Sequence, residues 1–404
     1  MSDQKQEYDI YTLEPISVPS REHVVPSFLG GRLQPVGLID RATNTEFGEG
    51  IDSALEKALR FVRVPIDARG HRNSTTPPSP MRDLQGEDGN IYDMMAGGEL
   101  RAKPELRVEA NGTSLSISGS VPDEAALRNA LKKKVKKVGL DLNDVVRQAL
   151  ESATWNRSVA PAVTQEIAIY AFDVYRAIAK IACNFFALKN RAVFLRDSFD
   201  ESRNFVLSGK PCATTLVQAV DVDIRQNGIG PVDHLVTYEQ QGDGRVVGNV
   251  VLYGVLAFSV LLGFHRDEVG RHSYRVDQLT GGSRSDHASD LEVSVPPFAD
   301  LARRSHEAFT ETATLQVTRA LEAVSAVQRE IWLHGIVESA WDKLPVKEGD
   351  VLEEEHINAL VAGIVAQLEP WIYEASDRRR MRNKVGDADC GGDASAEVDS
   401  SDGA

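Results

Sequence analysis

Between Arg21 and Phe61 the chain gathers side chains that can hydrolyse a phosphate ester. Glu22 stands beside His23, followed by Gly30-Gly31, a lone Asn44, and Asp52 at an expected helix start. Cleaving a phosphodiester needs an activated water and neutralisation of charge on the scissile phosphate and the leaving oxygen. One divalent cation and a general base provide both. Histidine is the side chain suited to taking a proton near neutral pH, and Glu22 is an oxygen ligand suited to Mg²⁺ or Mn²⁺. Residues 57–72 add Lys57, Arg60, Arg63, Arg69 and Arg72 against the single acid Asp67. That is either a small basic face or an ordinary solvated helix face.

The local elements must bring these groups together. Strands are expected over Tyr8–Leu13 and Ile16–Val18, with an extended piece at Val24-Val25, a turn from Pro26 to Gly31 and a strand fragment at Leu38-Ile39. Gly48 and Gly50 then precede a helix from Ile51 to about Val64, where Ile51, Leu55, Leu59 and Val62 recur at helical spacing. Adjacent strand residues face opposite ways, so Glu22 and His23 both turn inward only if the chain bends there.

Arg21-Glu22-His23-Val24-Val25-Pro26, then Leu29-Gly30-Gly31, then Asn44-Thr45-Glu46-Phe47-Gly48-Glu49-Gly50-Ile51-Asp52 resembles the HNH endonuclease family. The branch it is most similar to reads Glu-His, Ile/Val-Pro, Leu-Gly-Gly, Cys-Asn, Phe-Gly and Ile-Asp. The resemblance covers about sixty residues and implies a ββα-metal finger. It implies His23 as the general base, Glu22 and Asp52 as ligands of one Mg²⁺ or Mn²⁺, and Asn44 as the residue that holds the loop orienting His23. Arg32, Arg41, Arg60 and Arg63 are then the candidate phosphate contacts. Relatives carry two Cys-x-x-Cys knuckles around a structural zinc. The matching places here read Asp9-Ile10-Tyr11-Thr12 and Asp40-Arg41-Ala42-Thr43. Structural zinc takes Cys and His, so none is expected, and packing of Tyr11, Leu13, Phe28, Leu38, Phe47 and Leu55 must hold the finger instead.

A length of 404 residues implies two or three domains. The net charge of −15 excludes indiscriminate nucleic-acid binding, which needs surplus Lys and Arg. The longest apolar run, Val250 to Phe264, is too short to span a bilayer and no signal sequence is evident, so a cytoplasmic protein without membrane partners is expected. Cys183, Cys212 and Cys390 lie far apart and form neither a disulfide framework nor a zinc knuckle. His234, His265, His272 and His287 show no ligand spacing, and no phosphate loop, dinucleotide fingerprint or nucleophile elbow is present.

After a Ser/Thr/Pro-rich linker at Arg72–Pro80, residues 81–100 read as loop-like. Asn111-Gly112 marks a hairpin between Leu106–Ala110 and Ser114–Ser118. Helices are expected from Pro122 to about Val138, where lysines cluster, and from near Asp141. A longer helix over Thr164–Lys189 carries Ile167, Ala171, Val174, Ile178, Ala182 and Phe185 on one stripe. Arg176, Lys180 and Asn184 fall at i, i+4 and i+8 beside that stripe, a row that is either a solvated edge or a binding face. Val232–Phe264 has the texture of antiparallel strands, the first at His234–Tyr238, with a turn at Gln241–Gly244 and a break near Gly248 or Gly254. Residues 281–289 read as a loop, Phe298 to about Leu344 as one helix or a pair, and Glu353–Ala375 as another.

The expected fold is α+β. A ββα-metal finger over 1–75 and a linker over 76–100 lead to an α+β domain with an antiparallel sheet over 101–297, a helical region over 298–376 and a disordered tail over 377–404. The leading function is a metal-dependent endonuclease acting on DNA. The alternative is an inactive HNH-like module that binds nucleic acid or protein. Homo-oligomer formation and the partner of the C-terminal region are left open.

Overall fold

The structure is a computed structural model that describes residues 6–71, 75–103, 105–111, 114–121, 124–152, 161–210, 216–222, 230, 232–279, 283–287, 295–346, 349–369 and 372. It is α+β, with antiparallel sheets and C-terminal helices. By its contacts the chain divides into two units, Met1–Gln328 and Arg329–Ala404.

A pair of short antiparallel strands, β1 (Pro19–Arg21) and β2 (Val36–Asp40), opens the first unit. The chain turns directly from β2 into helix α1 (Arg41–Phe47), because Asp40 is an N-cap whose carboxylate accepts from Ala42 N at 3.0 Å. A π turn at Gly48–Asp52 continues into α2 (Ser53–Ala58), and α3 (Arg60–Arg63) follows. The helical run therefore begins at Arg41 and not at Ile51. The two glycines read as a helix boundary lie inside the π turn, where nothing crowds them.

Three of the four positions that the resemblance matches to zinc ligands, Asp9, Thr12 and Asp40, are joined by carboxylate hydrogen bonds. Asp9 is buried. Its Oδ1 accepts from Tyr11 N at 2.8 Å and Thr12 N at 3.2 Å, and its Oδ2 accepts from Asp40 N at 2.8 Å. Asp40 in turn accepts from Ser17 N and Val18 N at 2.8 and 2.9 Å through Oδ2. A buried carboxylate satisfying backbone donors of two segments cross-links them without a metal. Tyr11, Leu38, Phe47 and Leu55 are buried as expected, and Phe28 is half-buried. Leu13 is not part of this packing: it is exposed, in a left-handed turn.

Residues 81–102, expected to be loop-like, contain three strands, β3 (Met81–Gly86), β4 (Ile91–Met94) and β5 (Leu100–Ala102). Their glycines sit at the turns between strands (Gly89, Gly97, Gly98, all at positive φ), and this made the stretch look unstructured. The Asn-Gly signal holds: β6 (Glu105–Asn111) pairs with β7 (Ser114–Ser120). Helices α4 (Glu124–Val138) and α5 (Leu142–Ser152) follow, with a small core of Leu127, Leu131, Val135 and Val146. Strand β8 (Val163–Thr164) joins β3, giving the order β5-β4-β3-β8. That pairing removes the first residues of the helix expected from Thr164, and Ile167 is exposed outside it.

The helix itself is α6 (Phe172–Phe194), buried on nearly every side from Val174 to Ala187. After α7 (Asp200–Ser208) come β9 (Val217–Ala219), β10 (His234–Gln240), β11 (Arg245–Leu252), β12 (Leu256–Phe264), β13 (His272–Val276) and β14 (Ser283–His287). They form one antiparallel sheet in the order β14-β13-β10-β11-β12-β9. The strand break falls at Tyr253-Gly254, and residues 283–287 are an edge strand and not a loop. Helix α6 lies on β10, β11 and β12. It comes so close that a Cβ at Gly248 would sit 2.8 Å from the Ala182 Cβ. Phe185 and Phe186 pack on Tyr238 with ring centroids 5.6 and 5.0 Å apart. The opposite side of α6 meets β2, the π turn and α2. One hydrophobic cluster therefore runs from Ile10 and Tyr11 through Phe47 and Leu55 to α6 and the sheet.

Helices α8 (Phe298–Leu301) and α9 (His306–Trp341) follow, and in the second unit residues 354–369 are also helical. There Gln367 Nε2 reaches the Ile336 carbonyl at 3.5 Å. The tail expected to be disordered lies outside the described residues, as does Arg378–Lys384. Among the described residues no helix is long and apolar enough to cross a membrane.

The Asp9 tie gives a direct expectation. Asp9→Ala leaves buried N–H groups without acceptors and should lower unfolding stability by about 3 kcal/mol, read from urea denaturation, while Asp9→Asn loses less. A loss below about 0.5 kcal/mol for Asp9→Ala would mean that packing alone holds the two segments.

Candidate active site around Glu22, His23 and Asp52

Glu22 and His23 follow the end of β1, and the chain bends at Val24-Val25. The bend lets both side chains, Glu22 and His23, line one cavity of about 370 Å³, as the strand-alternation argument requires. Glu22 N and Val24 N still bond to Pro35 O and Leu33 O at 3.3 and 3.0 Å, which fixes the segment against the return strand. Gly30 closes the turn in a left-handed conformation, φ 79°. At Gly31 a Cβ would lie 1.9 Å from the Val25 carbonyl, so only glycine passes. That close passage puts the Gly31 carbonyl 2.9 Å from His23 Nδ1. A carbonyl only accepts, so Nδ1 carries the hydrogen in this contact and neutral His23 presents its lone pair at Nε2. The loop is held from behind by the sheet: Tyr274 Oη accepts from Arg32 N and Leu33 N, each at 3.1 Å.

The helical run supplies the other wall. Asn44, Gly48, Asp52 and Glu56 all line the cavity, at steps of four. In a plain α-helix a step of four overshoots one turn by about 40°, so three steps would carry Glu56 well away from Asn44. The π turn between Gly48 and Asp52 holds more residues per turn and cancels part of that drift. Asp52 therefore lies in mid-run at the end of the π turn, not in a first helical turn. Asn44 lies on α1, and its amide donates to Ser20 Oγ. It steadies β1 two residues ahead of Glu22; no described hydrogen bond joins it to the loop of residues 26–31.

The carboxylates of Glu22 and Asp52 converge, and they converge on an ammonium. Lys180 Nζ lies 2.7 Å from Glu22 Oε1 and 2.6 Å from Asp52 Oδ2. Lys180 is fully buried in α6, and its Nζ stands 5.4 Å from the Phe47 ring centroid. Asn184, one turn on, donates to the same Glu22 oxygen at 3.2 Å, and Tyr11 Oη donates to Asn184 Oδ1 at 2.7 Å. Burial raises the Glu22 carboxyl above its ordinary value, and Lys180 only partly offsets this. For Lys180, burial pulls downward but Asp52 and Glu22 outweigh it, so the amine stays above its usual value and charged. Burial likewise keeps the Tyr11 phenol well above its ordinary value, as a donor.

Lys180 and Asn184 are two members of the row beside the α6 stripe that the sequence leaves as either a solvated edge or a binding face. Their burial refutes the solvated-edge reading for both. The third member, Arg176, is half-buried and donates to the Val206 and Leu207 carbonyls. Of the arginines expected at phosphate, Arg63 lines the cavity, buried and paired with Glu56 at 2.7 Å; its guanidinium lies 5.0 Å from the Phe28 ring centroid. Its Nε has no hydrogen-bond partner among the described residues. Arg32, Arg41 and Arg60 do not line the cavity, whereas Arg21 does. Of the other histidines, His234 is a buried structural ring, pushed down to about 4 by desolvation. It accepts from Tyr253 N and meets Gln278, whose amide donates to the Phe28 carbonyl at the cavity wall.

A divalent ion cannot share the point between the carboxylates that the ammonium holds. Each carboxylate nonetheless commits one oxygen to Lys180, and the other oxygen of Asp52, Oδ1, is buried with no hydrogen-bond partner among the described residues. That orphaned oxygen fits a cation carried on the outer oxygens of the pair. Mg²⁺ commonly takes one or two carboxylates and completes its shell with waters and substrate phosphate. No protein-family model, curated protein or solved structure matches the chain.

Lys180→Met leaves two carboxylates facing each other in a buried site and should cost about 3–5 kcal/mol of stability. The triple variant Glu22→Gln, Asp52→Asn, Lys180→Met should recover most of it in the same urea titration. A single variant as stable as wild type would contradict the bridge.

Proposed function

We propose that the chain is a cytoplasmic, metal-dependent HNH-type endonuclease that hydrolyses phosphodiester bonds in DNA. The observation that carries the reading is the convergence of Glu22, His23 and Asp52 on one polar cavity, in the order that resembles the family. His23 takes the proton of the attacking water at Nε2 while Gly31 holds the ring through Nδ1. Glu22 and Asp52 are the residues that would hold one Mg²⁺ or Mn²⁺. Such an ion, when bound, polarises the phosphate and stabilises the leaving oxygen. Arg21 and Arg63 are the cationic side chains on the cavity wall and contact the phosphate. Asn44 keeps β1 in register so that Glu22 and His23 enter the cavity together.

One observation favours a second reading, a catalytically inactive module that binds nucleic acid or protein. Lys180 cancels half the charge of the carboxylate pair from within the protein, so Glu22 and Asp52 are held together by an ammonium where the nuclease reading needs a metal.

Plasmid nicking by purified wild type and His23→Ala, each with Mn²⁺ and with EDTA, separates the two. The nuclease reading expects metal-dependent nicking that falls at least about a hundredfold in His23→Ala. Binding of DNA without nicking by wild type would transfer the reading to the inactive module.

A further inference from the structure

Lys180 is buried deep in α6, yet its side chain ends between the two carboxylates that the proposed reaction needs. Glu22, Asp52 and Lys180 together carry one formal negative charge where the carboxylates alone would carry two. The ammonium also fixes one oxygen of each acid, and Asn184, itself held by Tyr11, donates to the same Glu22 oxygen. The pair is therefore held converged before any cation arrives, but with half its charge cancelled. A second cation placed on the outer oxygens meets both the remaining attraction and the repulsion of a nearby ammonium.

We propose that Lys180 is a positioning residue that sets how strongly the Glu22–Asp52 pair holds a divalent cation, keeping the grip weak until an anionic phosphodiester supplies the charge that the ammonium cancels. The inference rests on Glu22 and Asp52 being the cation-holding pair. It gives the site a built-in coupling. The phosphodiester and the cation enter together, because each neutralises what repels the other, and a protein without nucleic acid stays largely unloaded. Arg21 and Arg63 on the same wall attract the phosphate independently of Lys180.

The test is Mn²⁺ binding by the full-length protein, followed by the electron paramagnetic resonance signal of free aqueous Mn²⁺. Wild type, Lys180→Met and the double variant Asp52→Asn, Lys180→Met are compared, first with Mn²⁺ alone and then with a short DNA duplex present. Lys180→Met should bind Mn²⁺ at least about tenfold more tightly than wild type in the absence of DNA. The double variant should lose that gain, and DNA should tighten Mn²⁺ binding more in wild type than in Lys180→Met. Equal or weaker binding by Lys180→Met, or a gain that survives Asp52→Asn, overturns the proposal. If Lys180→Met is unfolded alone, recovery of its circular dichroism and melting transition by Mn²⁺ supports the proposal, and failure to recover at millimolar Mn²⁺ overturns it. A wild type that never nicks DNA, beside a Lys180→Met that gains Mn²⁺, would defeat the nuclease reading and leave the role of Lys180 standing. Nicking by wild type with no gain in the variant would do the reverse.

Discussion

An ammonium enclosed between two carboxylates is the interaction on which the rest of the first unit depends. Desolvating one charge costs several kcal/mol, and only close, well-shaped pairing offsets it. Lys180 has that pairing at 2.7 and 2.6 Å, but its partners come from separate places: Glu22 from the bend after β1 and Asp52 from the end of a π turn. The pairing forms only when β1, the helical run and α6 are all in place. A buried ion triad of this kind ties the N-terminal segment and the sheet-bearing body to one mutual position.

The rest of the architecture follows from serving that position. Helix α6 is apolar on one side, where Phe185 and Phe186 meet Tyr238 and Gly248 admits Ala182, and it carries Lys180 and Asn184 on the side that faces residues 9–58. Asp9 and Asp40 make the N-terminal turns rigid with hydrogen bonds alone. Gly31 gives up its side chain so that its carbonyl can hold His23. Each device places a polar group against a specific partner, as a cavity with several buried ionisable groups demands.

How much of this was legible in the sequence depended on whether the signal was local. Glu22, His23 and the double glycine are consecutive or nearly so, and their convergence was readable, as were the Asn111-Gly112 hairpin and the His234–Phe264 strands. The start of the helix at Arg41 was not. Asp40 falls where the resemblance expects a zinc ligand, which masks its role as a cap, and Gly48 and Gly50 look like a boundary although they sit within a π turn. Lys180 and Asn184 were visible as a row at i, i+4 and i+8 with Arg176, but such a row is equally the edge of an exposed helix. Only the covering of that face by residues more than a hundred positions earlier buries it, and no periodicity carries that information. The three strands between Met81 and Ala102 are hidden for a related reason: strands this short, separated by glycine turns, have too little apolar alternation to register.

The central claim is that a charged Lys180 sits between Glu22 and Asp52 in the folded protein. It is tested most directly by NMR of protein labelled at the lysine side-chain nitrogens. The account predicts one ammonium signal protected from solvent exchange, retained to a pH above the usual lysine range, and shifted or lost in Glu22→Gln and in Asp52→Asn. A spectrum in which every lysine ammonium exchanges as a solvent-exposed group would contradict it.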